Sequence, residues 1–224
     1  MNEIAQYANI PVTSLPQYMN SLDEVNFIKR EVSITERITS KKGHYILTDY
    51  FLRFYFRFIY PNLESLDRKI LDIKDIREPY SHYMGSIFED IVLQFMTHFR
   101  ANLGEIEGFK NLIREDFFEF TRIGRWWWKG VEIDLVAFNP RSDKAILIEC
   151  KWQQAVKGSA VAKKLLLKEE KVRYRGEFKK KEHLLMVFAK SFKNREKKVE
   201  QFGNTSICYL DLDDMATIIA RNQP

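Results

Sequence analysis

No uninterrupted apolar run in this chain is long enough to cross a bilayer, and the N-terminus brings Asn, Glu and Gln at once, with no signal-peptide pattern. A membrane span is excluded on that pattern, and a soluble, cytoplasmic setting is expected. Cysteine is scarce: Cys150 and Cys208 are the only two. Two thiols cannot build a zinc cluster alone and are sparse for a secreted disulfide scaffold, so a reduced compartment is the easier reading. There is no internal repeat, no low-complexity tract and no Gly/Ser linker. A GxxxxGK[ST] P-loop is also missing, which removes the usual means of binding ATP.

What is present suits a folded protein. Across 224 residues, 45% are apolar and 14% aromatic, enough for one large or two modest cores. The formal charge of +5 is unevenly spread, because residues 151–200 hold 16 Lys and Arg against 6 Glu, leaving the remainder acidic. That stretch is either a set of solvated helix faces or a surface for a polyanion such as a phosphate backbone.

Residues 14–30 read as an amphipathic helix, with Leu15, Tyr18, Met19, Leu22, Val25 and Ile28 at three- and four-residue intervals. EVSITERI, the charged turn SKKG and HYILTDYF then read as a β-hairpin. Helix plus two-stranded wing is the second half of a winged helix-turn-helix, with EIAQYAN as the helix before it and the first element missing. Lys41 and Lys42 at the wing tip could reach phosphate, although the exposed helix positions include Asp23 and Glu24 and no arginine. The alternative is a docking or linking role. DYFLRFYFRFIYPN, residues 49–62, reads as a helix apolar nearly all round, ended by Pro61 and buried between the two parts of the molecule.

The clearest predicted helix is 81–99, with Ser81 as N-cap and an apolar stripe through Met84, Ile87, Phe88, Ile91, Val92, Phe95, Met96 and Phe99. Glu89 lies beside that stripe, one turn after Gly85, which is small enough to admit another segment. Residues 131–138 read as a strand with Val131, Ile133, Leu135 and Ala137 on one face and Glu132, Asp134, Val136 and Phe138 on the other. NPRSDK makes a turn, and KAILIECKW returns with Glu149 and Lys151 on one face and Ile146, Ile148 and Cys150 on the other. Such a hairpin brings Asp134 beside Glu149 and Lys151, a trio expensive to bury without compensation. It is either an ordinary surface ion pair or an oxygen-ligand site for Mg²⁺ or Mn²⁺. In the second case Asp134, Glu149 and the Cys150 carbonyl are ligands, Glu89 a further one and Glu132 a reserve. Lys151 would orient or help deprotonate a water, or stabilise charge on a phosphoryl group.

The order Glu89, Asp134, then Glu149-Cys150-Lys151 resembles the E…D…ExK core of the PD-(D/E)XK, or restriction-endonuclease-like, superfamily, with Ile133 in its relaxed proline position. LTDYFLRFYFRFIYPN, GSIFEDIV, GRWWWKGVEIDLVAFN and ILIECKW together resemble the C-terminal region of archaeal-type AAA ATPases known as DUF234, over nearly the whole chain. The resemblance implies an α/β protein with a restriction-endonuclease-like mixed sheet flanked by helices, preceded by a partial winged helix-turn-helix. It implies a winged-helix module at 1–62, a connector at 63–74 and a nuclease-like domain at 75–224. Asp134, Glu149 and Lys151 would be catalytic, and Glu89, Asp134, Glu149 and Cys150 would bind metal. The partners implied are DNA and an ATPase domain, in the same longer chain or separate, and the motor has either been lost or lies elsewhere.

Two further readings stay open, since fold does not establish activity. One is a nuclease scaffold kept only for DNA binding or docking. The other is a protein-interaction module with no salt-dependent DNA affinity. VAKKLLLKEEKVRYRGEF is read as a basic helix, EHLLMVFAKS and NTSICYLDL as core strands, and DDMATIIARN as a terminal helix. Trp126, Trp127, Trp128 and Trp152 gather at the ends of the two motif strands, where they pack an edge, form a partner-docking surface or stack on bases.

Overall fold

The structure is a computed structural model that describes residues 2–106, 109, 113–173, 176–193 and 198–222. The chain folds into two compact units: Met1–Val32 with Arg37–Glu78, and Ser33–Glu36 with Pro79–Pro224.

In the first unit, α1 (Asn2–Ala8) and α2 (Leu15–Glu24) precede a two-stranded antiparallel ribbon, β1 (Ile28–Glu31) and β2 (His44–Leu47). Ala5, Leu15, Met19 and Ile28 form its small core. The hairpin is therefore present, with its first strand displaced. Asn26 adopts a left-handed backbone (φ 63°) and ends the helix early, so Ile28 enters the ribbon and Val32–Ile38 of EVSITERI does not. Lys41 and Lys42 lie exposed in the long connection.

Residues 49–62 also depart from expectation. Asp49 caps α3 (Tyr50–Phe54) by accepting from the Leu52 N–H at 2.8 Å, a π-helical turn (Tyr55–Ile59) and a 3-10 turn (Tyr60–Asn62) follow, and α4 (Leu63–Asp67) continues beyond Pro61. Pro61 sits in the first turn of the 3-10 segment, where its missing N–H costs nothing. Phe58 is buried, whereas Phe51, Phe56 and Tyr60 are exposed. The helix is thus not buried all round.

The second unit carries a six-stranded mixed sheet in the order β3-β4-β5-β6-β8-β7. Its strands are β3 (Arg122–Trp128), β4 (Val131–Phe138), β5 (Lys144–Lys151), β6 (Glu182–Ala189), β7 (Val199–Phe202) and β8 (Thr205–Asp211). β3, β4 and β5 form an antiparallel meander; β5, β6 and β8 run parallel, joined between β5 and β6 by α6 (Gly158–Arg173), and β7 pairs antiparallel with β8. Period-2 alternation sends Ile146, Ile148, Leu184, Met186 and Phe188 to one face and Leu147, Leu185 and Val187 to the other. The first face is covered by α5 (Ile73–Phe99) and α7 (Leu212–Arg221), the second by α6 through Ala162, Leu165 and Val172. The segment Ser33–Glu36 lies along β3, with the Ile34 N–H donating to the Arg125 carbonyl at 2.9 Å.

α5 begins eight residues before the expected Ser81 cap, with Pro79 inside it. Its buried stripe is Phe88, Val92, Phe95 and Met96, Ile91 is exposed, and among the described residues nothing approaches within 4 Å of where a Cβ on Gly85 would stand. No described segment uses the space that Gly85 leaves. Tyr174, Arg175, Arg195, Glu196 and Lys197 of the basic stretch lie outside the described residues. No described helix is long and apolar enough to cross a membrane.

Candidate active site

The three residues singled out on the hairpin do converge, but through a bulge. Gly124 pairs with Val136 and Trp126 with Ile133, so Arg125 of β3 faces both Asp134 and Leu135 of β4. The extra residue breaks the alternation. Ile133 lies with Val136 and Phe138 in the core under α6, while Leu135 and Ala137 lie in the core under α5. The expectation that Ile133, Leu135 and Ala137 share a face is corrected accordingly, and Asp134 occupies the crossover point. One of its oxygens accepts the Cys150 main-chain N–H at 2.7 Å, which ties β4 to β5 where the regular ladder has stopped at Leu135–Ile148.

On β5, Glu149 and Lys151 share the face expected of them. The Glu149 side chain is 9% exposed and bound at both oxygens: Lys151 Nζ donates to Oε1 and Lys168 Nζ, from α6, donates to Oε2, each at 2.7 Å. Lys151 Nζ also stands 3.9 Å from Asp134. Glu89 reaches the same region from α5, where Arg125 Nε donates to it at 3.1 Å and Arg125 NH2 to the buried Asp90 at 2.9 Å. Glu132, the reserve ligand, is exposed opposite Trp127.

The electrostatics are those of crowded acids. Burial, and then the charge of Asp134, push Glu89 up to about 7 despite Arg125. Burial and the neighbouring Glu149 raise Asp134, against the pull of Lys151 and the Cys150 N–H. The Cys150 thiol goes up through burial and through Asp134, Glu89 and Glu149 together. Lys151 is desolvated, which alone would lower it, but Glu149 and Asp134 outweigh that and hold it protonated. Asp134 on β4 thus raises Glu89 on α5 and is itself raised by Glu149 on β5, at one end of the sheet.

Among the described residues, no three His, Cys, Asp or Glu side chains stand together in a set that could hold a metal ion. The donor chemistry nevertheless fits a hard divalent cation. Asp134 and Glu149 are mutually repelling oxygen donors, and the deficit of positive charge falls on Asp134 and Glu89. As the side chains stand, Arg125 holds Glu89 and two lysines hold Glu149, so cations of the chain itself occupy the donor atoms. The Cys150 sulfur faces the core under α5, leaving only its main chain for the site.

Three residues at this end escape a reading of the sequence. Arg125 hides among the tryptophans of GRWWWKG, Asp90 is overshadowed by Glu89, and Lys168 is one lysine of many on α6. The tryptophans do not form one platform. Trp126 is buried in the core under α6 against Phe178, while Trp152 packs on Phe88 at 5.4 Å on the α5 side.

Fold and site together define an α/β protein whose six-stranded sheet gathers acidic and basic side chains at one end. The chain belongs to DUF234, a family described as archaeal and bacterial proteins of unknown function, which it matches over residues 55–173. It is 34% identical over 219 residues to an uncharacterized protein, MJECL04, of Methanocaldococcus jannaschii. That match takes in 96% of this chain and 45% of the relative, so the chain spans less than half the relative's length. No solved structure matches it.

Proposed function

We propose that this chain is a nucleic-acid-binding region with a metal-dependent phosphodiesterase site of the PD-(D/E)XK type, working with an ATPase module. The observation that carries the reading is the convergence of Asp134, Glu149 and Lys151 from two adjacent strands, with burial and then the neighbouring Glu149 raising Asp134. The element order supports it: helix with Glu89, antiparallel meander with Asp134 and Glu149-Cys150-Lys151, crossover helix, parallel strand. That is the order the sequence resemblance implies for the nuclease-like fold.

In this reading Asp134 and Glu149 hold Mg²⁺ or Mn²⁺, with the Cys150 carbonyl beside them and Glu89 joining once Arg125 releases it. The ion supplies Lewis acidity at a phosphoryl oxygen and a more acidic water. Lys151, fixed between Glu149 and Asp134, serves as a cation that positions the attacking water or offsets charge on phosphate. The Cys150 N–H keeps Asp134 in place. Basic side chains that follow the site in sequence favour DNA as the partner.

A second reading, a nuclease scaffold retained for DNA binding or docking, is favoured by the cations already seated on Glu89 and Glu149. Cleavage of supercoiled plasmid and of single-stranded DNA, with Mg²⁺, Mn²⁺ or EDTA, separates the two. We expect cutting that needs the metal and falls on the order of 10²-fold or more in Asp134→Ala, at least the scale seen on disturbing groups around a metal. DNA binding without cutting, unchanged by metal or by the substitution, would establish the scaffold reading instead.

A further inference from the structure

Glu149 has more positive charge beside it than its own charge requires. One lysine would neutralise it; it has two, one on each oxygen, and Asp134 at 3.9 Å from Lys151 brings the group of four to electrical balance. The two lysines differ in how they are held. Lys151 is a sheet residue on the same strand as Glu149, shared with Asp134. Lys168 comes from α6, touches only Glu149 within this group and keeps 29% of its side chain in solvent. If Asp134 and Glu149 take up a divalent cation, the group of four is left with an excess of positive charge that the departure of one lysine halves, and Lys168 is the one with somewhere to go.

Its surroundings indicate where. Lys164 and Lys171 are exposed four residues before and three residues after Lys168, so the three share one side of α6. Phosphates spaced along a nucleic-acid strand match such a row of cations, and a lysine at its centre beside Glu149 would meet the phosphate nearest the site.

We propose that Lys168 is a displaceable counter-ion, seated on Glu149 Oε2 in the metal-free protein and transferred to a substrate phosphate when Asp134 and Glu149 bind a divalent cation. The inference rests on the phosphodiesterase reading and adds a substrate-contacting residue from outside the E…D…ExK pattern. It has a signature that a purely structural lysine lacks: removing the charge strengthens metal binding and weakens turnover.

The test uses the whole chain and titrates Mn²⁺ by electron paramagnetic resonance without nucleic acid, then measures turnover at saturating Mn²⁺. Lys168→Met is expected to bind Mn²⁺ roughly two- to fivefold more tightly, the scale of one screened charge contact, while its turnover falls. Lys168→Arg should recover turnover, and Asp134→Ala should lose the ion. Lys168→Gln, with circular dichroism on every variant, replaces Lys168→Met should that protein not fold. Unchanged or weaker Mn²⁺ affinity in the neutral variants, with Asp134→Ala still abolishing it, overturns the role of Lys168 alone. A wild-type chain that binds no Mn²⁺, or binds it equally well after Asp134→Ala, overturns the site reading and this inference with it.

Discussion

Replacing Glu89 by Gln should stabilise the metal-free protein in alkaline solution and do nothing for it in acid. In the folded chain burial and Asp134 raise the Glu89 carboxyl from 4.5 to about 7. Between those values the folded state holds a proton that the unfolded chain has released, so stability declines as pH rises through that window and the loss is complete above about 7. A proton leaving near 7 instead of 4.5 costs the folded state about 3 kcal/mol at ~1.4 kcal/mol per tenfold. Solvent reaches 26% of this side chain, and screening reduces the expected cost to about 1–2 kcal/mol. Gln removes the charge while Arg125 keeps Asp90 at 2.9 Å. Urea unfolding at pH 5 to 9, followed by tryptophan fluorescence, reads the difference, because all four tryptophans lie in the second unit. Glu89→Gln should match wild type near pH 5 and exceed it above pH 7, and excess Mg²⁺ should narrow the gap. A difference that stays flat with pH would refute the assignment of Glu89 to a crowded, desolvated place.

Two packing predictions concern the core on the α6 side of the sheet. A Cβ on Gly158 would stand 2.8 Å from the Tyr209 ring, which is fixed by Phe192 and by its hydroxyl donating to Glu200 at 2.9 Å. Gly158→Ala should therefore cost about 1–3 kcal/mol in chemical denaturation, as overpacking does. Phe178 is fully buried and meets Trp126, Phe138 and His183 edge-on. Phe178→Ala should cost about 3–5 kcal/mol and alter the Trp126 emission; a smaller loss would mean that this core closes over the gap.

Sequence patterning foretells some of these elements and misses others for identifiable reasons. β5 is legible because both of its faces are apolar until Glu149 and Lys151, where strict alternation puts the charges on one side. β6, β8 and α7 are legible too, from short apolar runs and from Met215 and Ile218 at helical spacing. β4 shows in the pattern, but its parity does not, since a bulge depends on the register of the neighbouring strand and leaves no mark in β4 alone. β3 escapes because RIGRWWW does not alternate in polarity. The start of α5 falls earlier than expected because the helix runs on through Pro79, a residue that in sequence reads as a helix boundary.

The site shows the same division. Asp134, Glu149 and Lys151 sit within one hairpin, so their proximity follows from counting along it. Arg125 and Lys168 reach Glu89 and Glu149 across 36 and 19 residues, and only the folded sheet and crossover helix reveal them.

The topology also has a consequence for the growing chain. β3, β4 and β5 are joined by tight turns and pair as neighbours, so closing the meander spans little sequence. β6 can join β5 only after the whole α6 crossover has been made, as a parallel pair requires. During synthesis, from the N-terminus onward, the hairpin with Asp134, Glu149 and Lys151 is complete before Lys168 can be docked by its helix. For that interval Glu149 has a single lysine to answer it, and the pair of acids stands open to solution on the side that Lys168 later closes.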